Sequence, residues 1–231
     1  FVARTCPEHG AFEGLVCSDQ DWYERLPLFD VEPVKPQHPD RAVRAGCPDD
    51  CGMCAAHRQM IGTAAIEISN RCDAACPTCL AANQATFELT VDEVRRAMEH
   101  VLAAQPSVSA FTLSGGEPTT HPQLFEIIEL LDRPGIGRIV INSNGKRIAE
   151  DDAFLDRLAA HPNVYVCLHY DGKESHRLRG IAPEVQERAL TRLVERGIKV
   201  TPLVLATQGG GDQELGGLAR SLLTRSPGIP S

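Results

Sequence analysis

The chain has 231 residues, a formal net charge of −8, and ordinary fractions of hydrophobic (42%) and charged (23%) residues. These values predict a globular protein with one sizeable core and a small appended module. The negative charge argues against a general surface for nucleic acid or acidic membranes, because such surfaces are basic, and it leaves a local basic patch open. No apolar run reaches the length of a membrane span. We therefore expect a cytoplasmic protein without a transmembrane segment or a nucleic-acid partner.

The nine cysteines are the unusual feature of the composition. Eight of them lie in the first 79 residues, and six of those form two tight triplets. A disulfide-stabilised secreted protein would be smaller and would spread its cysteines along the whole chain. The clustering therefore favours metal binding in a reducing compartment.

Residues 1–63 are predicted to form an irregular, Cys-rich metal-binding module. Pro27, Pro33, Pro36 and Pro39 interrupt any long element, because proline has no amide proton to donate. This part has too few apolar residues for a core of its own. Metal binding would give it a physical reason to fold.

Residues 64–231 show five predicted strands that alternate with five predicted helices. The strands are expected at 64–69, 110–113, 138–141, 164–168 and 199–206. The helices are expected at 90–104, 123–131, 151–160, 183–196 and 212–223, the first of them opened by a capping box of Thr90 and Glu93. Short apolar strands between amphipathic helices indicate a parallel sheet covered by helices. The regular alternation predicts an α/β fold, a partial (β/α) TIM-like barrel, rather than a doubly wound sheet.

Polar and Gly-rich segments follow four of these strands at their carboxyl ends, which is where barrel folds build their sites. They are Ser69-Asn70, Ser114-Gly-Gly-Glu-Pro118, Asn142-Ser-Asn-Gly145 and His169-Tyr-Asp-Gly172.

The sequence Cys72-Asp-Ala-Ala-Cys76-Pro-Thr-Cys79 directly follows the first predicted strand. Thiolates bind both iron–sulfur clusters and zinc. Three thiolates on one loop suit three corners of a cubane and leave the fourth iron open. A structural zinc knuckle is the alternative, although no fourth ligand stands at a regular spacing after Cys79.

The CxxxCxxC spacing, together with Gly115-Gly116-Glu117-Pro118 after the second strand, resembles the radical S-adenosylmethionine superfamily. The resemblance implies a 4Fe–4S cluster on the three cysteines of that loop. It also implies that residues 115–118 hold the amino group of S-adenosylmethionine, with Glu117 accepting hydrogen bonds from the ammonium. In such enzymes, reductive cleavage of the cofactor gives a 5′-deoxyadenosyl radical that removes hydrogen from an unactivated carbon.

The same resemblance implies further cofactor contacts from Asn142, Asn144, Asp171 and Arg179. The simpler alternatives are an ordinary Asn-Gly turn for the first two and a solvated surface arginine for Arg179. Cys167 lies inside a predicted strand and is interpreted as a core residue. The residue before the last cluster cysteine is often aromatic in the superfamily, whereas here it is Thr78.

A second triplet, Cys47-Pro-Asp-Asp-Cys51-Gly-Met-Cys54, repeats the same spacing and is followed by His57. Together with Thr5-Cys-Pro-Glu-His-Gly10, it resembles a narrower group that includes tetraether lipid synthase and dihydro-hydroxymethylpterin dimethyltransferase. We expect an auxiliary 4Fe–4S cluster on this triplet. Zinc or mononuclear iron, held by the three cysteines and His57, remains open.

Cys6 is expected to be a metal ligand. In the narrower group its segment belongs to a rubredoxin-like module with a preceding CxxC, and because that CxxC is absent here the segment is only a partial one. His9 or Cys17 would assist Cys6, and the alternative is that Cys6 and Cys17 are free thiols. The start at Phe1 and the end at Ser231 lead us to expect a chain cut at both ends.

The resulting functional hypothesis is a radical enzyme, a transferase or a carbon–carbon bond-forming catalyst, that acts on a lipid or on a pterin-like small molecule. A ferredoxin or flavodoxin would supply the electron. The alternative is a non-catalytic zinc-binding or scaffold protein, or an inactive fragment of such an enzyme.

Overall fold

The computed structural model describes residues 1–26, 35–47, 49–50, 52–57, 59–79, 87–207 and 211–225. Its strands are β1 (Val2–Cys6), β2 (Gly10–Gly14), β3 (Thr63–Ser69), β4 (Ala110–Gly115), β5 (Ile139–Ser143), β6 (Val164–His169) and β7 (Lys199–Leu203). Its helices are α1 (Gln20–Arg25), α2 (Val91–Ala104), α3 (Leu124–Leu131), α4 (Lys146–Glu150), α5 (Asp152–Ala159), α6 (Ser175–Arg179), α7 (Pro183–Glu195) and α8 (Leu215–Thr224). Within these ranges, no helix has the length and apolar character needed to cross a bilayer.

The N-terminal part begins with an antiparallel hairpin of β1 and β2, in which Cys6 pairs with Gly10. Gly10 makes the turn possible because its φ of 84° lies in the left-handed region. Asp19 then caps α1 by accepting a hydrogen bond from the Trp22 amide at 2.8 Å. The segment predicted to be irregular thus contains a hairpin and one short helix, and the division of the chain at residue 63 stays a prediction.

The second sheet has five parallel strands in the order β3-β4-β5-β6-β7. Each strand pairs with the next one along the chain, whereas a doubly wound sheet would reverse direction at a switch point. The predicted α/β architecture, a partial (β/α) barrel, is confirmed. The capping box of Thr90 and Glu93 is also present at the start of α2.

The two faces of this sheet differ sharply in chemistry. Alternate residues face the helices and form the apolar core, among them Ile68, Leu113, Ile141, Val166 and Val200, all of them fully buried. The residues between them form a second surface, which we call the open face, and all are partly or fully exposed. The open face consists of Ala65 and Glu67 on β3, Thr112 and Ser114 on β4, Val140 and Asn142 on β5, Tyr165, Cys167 and His169 on β6, and Lys199, Thr201 and Leu203 on β7.

Two short helices, α4 and α6, occupy segments for which the sequence predicts no element. Each has five residues, so neither shows a helical repeat long enough to detect in the sequence. Glycine in the left-handed region bounds both: Gly145 (φ 84°) precedes α4, and Gly180 (φ 67°) ends α6.

Gly145 and Gly197 allow a matched test of packing at the edge of the core. Both have positive φ, but a β-carbon at Gly145 would lie 2.6 Å from Leu168 Cδ1, whereas one at Gly197 would meet nothing within 4 Å. We expect Gly197→Ala to lower the free energy of unfolding by about 1 kcal/mol through backbone strain alone. Gly145→Ala should lower it by about 3 kcal/mol, because overpacking adds to that strain. Urea denaturation measures both, and equal losses would contradict this account.

Candidate functional site

The first cysteine triplet lies on a loop, residues 70–79, that we call the cluster loop. Its first residues run directly over Gly115 and Gly116. The Gly116 amide donates to the Ser69 carbonyl at 2.7 Å, and the Glu117 amide donates to the Arg71 carbonyl at 2.6 Å. A β-carbon at Gly115 would lie 2.0 Å from the Ser69 oxygen, and one at Gly116 would lie 2.1 Å from the Arg71 oxygen. The paired glycines are therefore required by the backbone of the cluster loop itself.

The three thiols of the cluster loop differ in exposure: Cys72 and Cys76 are half-buried and Cys79 is exposed. Burial raises the pKa of Cys72 and of Cys76, and the nearby Arg179 guanidinium partly opposes this for Cys76. The Ala74 amide donates to Cys72 Sγ at 3.4 Å, and this contact partly opposes the rise in the pKa of Cys72. Cys72 is within electrostatic range of Glu117 after β4, and Cys76 is within range of Asp171 and Arg179 after β6.

Three cysteines on one loop are a donor set that suits three irons of a cubane. Among the residues that the structure describes, no three His, Cys, Asp or Glu side chains are grouped closely enough to hold a single metal ion.

Asp73 fastens the first half of the cluster loop to the β5–α4 turn. The Asn144 side-chain amide donates to Asp73 Oδ1 at 2.7 Å. The Lys146 ammonium donates to the Asp73 carbonyl at 2.5 Å and lies 3.4 Å from its carboxylate. The second half of the loop is fastened to α6, because the Thr78 hydroxyl donates to the Leu178 carbonyl at 2.8 Å. Thr78, which departs from the aromatic residue frequent in the superfamily, thus has a positioning contact here.

Glu117 is only 1% exposed, and its carboxylate accepts four hydrogen bonds. Oε1 accepts from the Thr119 amide (3.1 Å), the Thr119 hydroxyl (2.6 Å) and the Ser143 hydroxyl (2.9 Å), and Oε2 accepts from the Asn144 amide (2.7 Å). Burial raises the pKa of Glu117, while these donors act in the opposite direction. Glu117 therefore links the loops after β4 and β5, and its contact with a cofactor ammonium stays a prediction. Pro118 is buried and opens a short 3-10 turn, Pro118–Thr120.

Asp171 and Arg179 form an ion pair of 2.9 Å in which the aspartate side chain is 1% exposed and the arginine side chain 14%. The other oxygen of Asp171 accepts from the Leu205 amide at 2.7 Å. The interpretation of Arg179 as a solvated surface residue is wrong. The pair lies within electrostatic range of Cys76, so it belongs to the wall of the site.

Two polar atoms on the open face are buried and have no hydrogen-bond partner in the described part of the chain: Asn142 Oδ1 and His169 Nδ1. Burial lowers the pKa of His169 to about 4, and the Arg179 charge adds to this, so the imidazole is neutral at neutral pH. Cys167 lies half-buried on the same face and outside the apolar core. Its interpretation as a core residue is therefore wrong.

The second triplet is only partly described, because Cys51 lies outside the described residues. Cys47 is exposed, Cys54 is half-buried and His57 is exposed. The His57 amide donates to the Cys54 carbonyl at 3.0 Å, so these two candidate ligands adjoin. The metal at this triplet stays a prediction.

The hairpin brings Cys6 and His9 together, with Cys6 Sγ 3.3 Å from His9 Nδ1. Cys17 instead donates to the Asp19 carbonyl at 3.2 Å. Of the two helpers proposed for Cys6, the structure thus brings only His9 to it, and a metal role for Cys6 remains a prediction.

Sequence reasoning missed three residues of the site: Asp73, Lys146, and Thr78 as an anchor. Asp73 stands between two expected ligands, so its position in the motif was a usable signal. The sequence carries no such signal for Lys146, because its partner Asp73 is 73 residues away along the chain.

Replacing Gly116 by alanine should displace the cluster loop, because the new β-carbon would overlap the Arg71 carbonyl. We expect Gly116→Ala to retain less than half of the iron and sulfide that the wild type holds after anaerobic reconstitution. Gly62→Ala is the control, since a β-carbon there meets nothing within 4 Å. Full iron loading of Gly116→Ala would contradict the assigned contact.

Replacing Lys146 by methionine should remove one of the two anchors of Asp73 while keeping the length of the side chain. We expect altered g-values in the EPR spectrum of the reduced cluster and faster loss of iron to a chelator, because the loop beside Cys72 is less restrained. Lys173→Met is the matched control, since Lys173 is exposed and pairs with Glu214. An EPR spectrum and iron-release rate equal to those of the control would refute the anchoring role.

The chain is similar to several known proteins. Residues 43–222 match the family described as the Radical SAM superfamily. The protein named 7,8-dihydro-6-hydroxymethylpterin dimethyltransferase from Methanocaldococcus jannaschii is 28% identical over 228 residues, which cover 95% of this chain and 44% of that protein. The AdoMet-dependent heme synthase of Methanosarcina barkeri is 30% identical over 128 residues, 54% of this chain and 36% of that protein.

Solved structures show the same fold. Streptococcus suis SuiB bound to S-adenosylmethionine superimposes with a TM-score of 0.61 at 19% identity, over 72% of this chain and 39% of that chain. The protein anSMEcpe with bound AdoMet gives a TM-score of 0.57 at 20% identity, over 71% and 48%. The chain spans less than half the length of the proteins it matches. Since the family match covers more than half of its residues, in a fold with the cysteine triplet at the carboxyl edge of the sheet, the chain belongs to the radical S-adenosylmethionine superfamily.

Proposed function

We propose that this chain forms the radical-generating part of an enzyme that cleaves S-adenosylmethionine reductively. The observation that carries the proposal is the placement of Cys72 and Cys76 on a braced loop beside Glu117 and the Asp171–Arg179 pair. Membership of the superfamily implies a 4Fe–4S cluster and S-adenosylmethionine as the cofactors.

In this proposal Cys72, Cys76 and Cys79 would hold the cluster, and S-adenosylmethionine would bind to it as the second cofactor. The chemistry that the bound pair supplies is electron transfer to the sulfonium, with release of methionine and a 5′-deoxyadenosyl radical. The raised thiol pKa values mean that loading the site displaces protons from Cys72 and Cys76.

The protein's own part in the reaction is to fix position and to exclude water. The proposed cofactor contacts are Gly115, Gly116, Glu117, Pro118, Asn144, Asp171 and Arg179, and the resemblance also implies Asn142. The buried ion pair of Asp171 and Arg179 gives the wall beside Cys76 little net charge. Asp171 orients the Arg179 guanidinium before the carboxylate of the cofactor binds. This lowers the entropy that Arg179 loses on binding.

The proposed reaction is methylation or carbon–carbon bond formation at an unactivated carbon, and the proposed substrate is pterin-like or lipid. The M. jannaschii relative, named for dimethyl transfer to a hydroxymethylpterin, supports the pterin-like alternative because the likeness spans 95% of this chain. An auxiliary 4Fe–4S cluster on Cys47, Cys51 and Cys54 belongs to the proposal, with zinc or mononuclear iron and His57 as its alternative. A ferredoxin or flavodoxin is the proposed electron donor.

Cleavage of the cofactor tests the proposal directly. Anaerobically reconstituted protein, reduced with dithionite, should convert S-adenosylmethionine to 5′-deoxyadenosine. Cys76→Ala should lower this activity by at least a hundredfold, because the cluster loses one of its three ligands, while iron at the second triplet is retained. Cys17→Ala, a cysteine outside the proposed ligand set, should leave the rate unchanged.

Two outcomes would count against the proposal. One is a fully loaded wild-type protein that forms no 5′-deoxyadenosine. The other is protein isolated without oxygen that contains zinc but neither iron nor sulfide, which would favour the scaffold alternative.

A further inference from the structure

Every polar atom of Asp171, in the segment that leaves β6, has a hydrogen-bond partner. The Asp171 carbonyl accepts from the Glu174 amide at 3.2 Å, and Oδ1 accepts from the Leu205 amide at 2.7 Å. Oδ2 accepts from the Arg179 guanidinium at 2.9 Å. The Asp171 amide donates to Gln186 Oε1 at 3.0 Å. Gln186 lies on α7, whose apolar side packs in the core, so this last bond ties Asp171 to the helical layer outside the sheet.

The local backbone does little to fix the direction of Asp171. Gly172 follows it directly with a φ of 57°, and glycine is the least restrained residue. The restraint therefore has to come from side chains of α7. Next to Gln186, Glu187 accepts a hydrogen bond of 2.5 Å from the Tyr170 hydroxyl. Two consecutive residues of α7 thus hold two consecutive residues of the segment after β6.

The side-chain amide of Gln186 has a fixed orientation, because the main-chain amide of Asp171 can only donate. Oε1 therefore faces Asp171, and Nε2 is a donor. Gln186 is 1% exposed, and Nε2 has no hydrogen-bond partner in the described part of the chain. A buried donor without a partner is destabilising, and an apolar side chain of the same length would avoid that cost. What Gln186 contributes is accordingly its bond to Asp171.

The position of Asp171 matters for the site because its carboxylate holds Arg179. The Arg179 guanidinium lies within electrostatic range of Cys76 and of His169. Its side chain is 14% exposed, so the protein rather than the solvent sets its direction. A displacement of Asp171 would therefore turn the guanidinium and change the charge that Cys76 faces.

We propose that Gln186 is a positioning residue, which acts through Asp171 to fix the direction of the Arg179 guanidinium beside Cys76. The inference rests on the proposed function in one respect, since it takes the carboxylate of S-adenosylmethionine to meet Arg179. A buried glutamine of α7 thus determines how tightly the site binds its cofactor.

Hydrogen exchange of the Arg179 Nε–H, followed by NMR in protein without iron or cofactor, tests the position of the guanidinium. We expect Gln186→Met, which keeps the length of the side chain and removes the acceptor, to accelerate this exchange about tenfold. Gln186→Glu keeps an oxygen acceptor and should stay close to the wild-type rate. Gln105→Met is the matched control and should also stay close to it. Gln105 is 2% exposed at the end of α2, and its Oε1 likewise has no partner among the described residues.

Binding of S-adenosylhomocysteine to the reconstituted protein, measured by isothermal titration calorimetry, tests the consequence for the site. Gln186→Met should weaken binding about tenfold, the factor expected for one lost hydrogen bond. In an Arg179→Met background the same change should weaken binding no further, because Gln186 acts through Arg179. A general structural role of Gln186 would weaken binding in both backgrounds.

Three results would overturn the proposal. They are equal Arg179 exchange rates in Gln186→Met and Gln105→Met, equal affinities of these two variants for S-adenosylhomocysteine, and additive losses in the double variant. If Arg179→Met does not fold, the first two results still decide. Failure of the wild type to bind S-adenosylhomocysteine or to cleave S-adenosylmethionine counts against the proposed function alone, because the exchange measurement needs neither iron nor cofactor.

Discussion

The site depends on one close contact between backbones, where the chain leaving β3 crosses the end of β4. At Gly115 and Gly116 no side chain separates the two segments, and two short hydrogen bonds join them. The position of Cys72 follows from this contact, because it is the next residue after Arg71. A Gly-Gly pair that resembles a ligand-binding motif is therefore, in the first place, a packing requirement of the loop that carries the sulfurs.

Buried charge is the second constraint on the site. Glu117 and Asp171 are both 1% exposed, and each is surrounded by donors: four hydrogen bonds for Glu117, and the Leu205 amide with the Arg179 guanidinium for Asp171. A buried carboxylate is tolerated only when it is satisfied in this way. Each carboxylate also joins segments that are distant in the sequence. Glu117 joins the segments after β4 and β5, and Asp171 joins the segments after β6 and β7. The same groups that shape the electrostatics of the site therefore hold its walls together.

The sequence was sufficient for the repeating part of the fold. All five strands of the parallel sheet were predicted, because alternation of apolar strands and amphipathic helices is a local pattern. The hairpin of β1 and β2 was missed because every one of its strand residues except the half-buried Cys6 is exposed, so no apolar alternation marks it. The burial of Arg179 could not be predicted from the sequence either, since it depends on Asp171 and on the chain after β7. The cysteine loop was visible as a motif, whereas its anchors come from residues about 70 and 100 positions away.

The cluster loop is anchored to two different parts of the barrel: Asp73 contacts the turn after β5, and Thr78 contacts the helix after β6. The loop thus spans the gap between adjacent βα units, with Cys72 near one support and Cys76 and Cys79 near the other. Any change in the angle between those units would alter the distance between the sulfurs. A ligand that shifts the turn after β5 relative to α6 would accordingly act on the electronic properties of whatever the three sulfurs hold, without touching it.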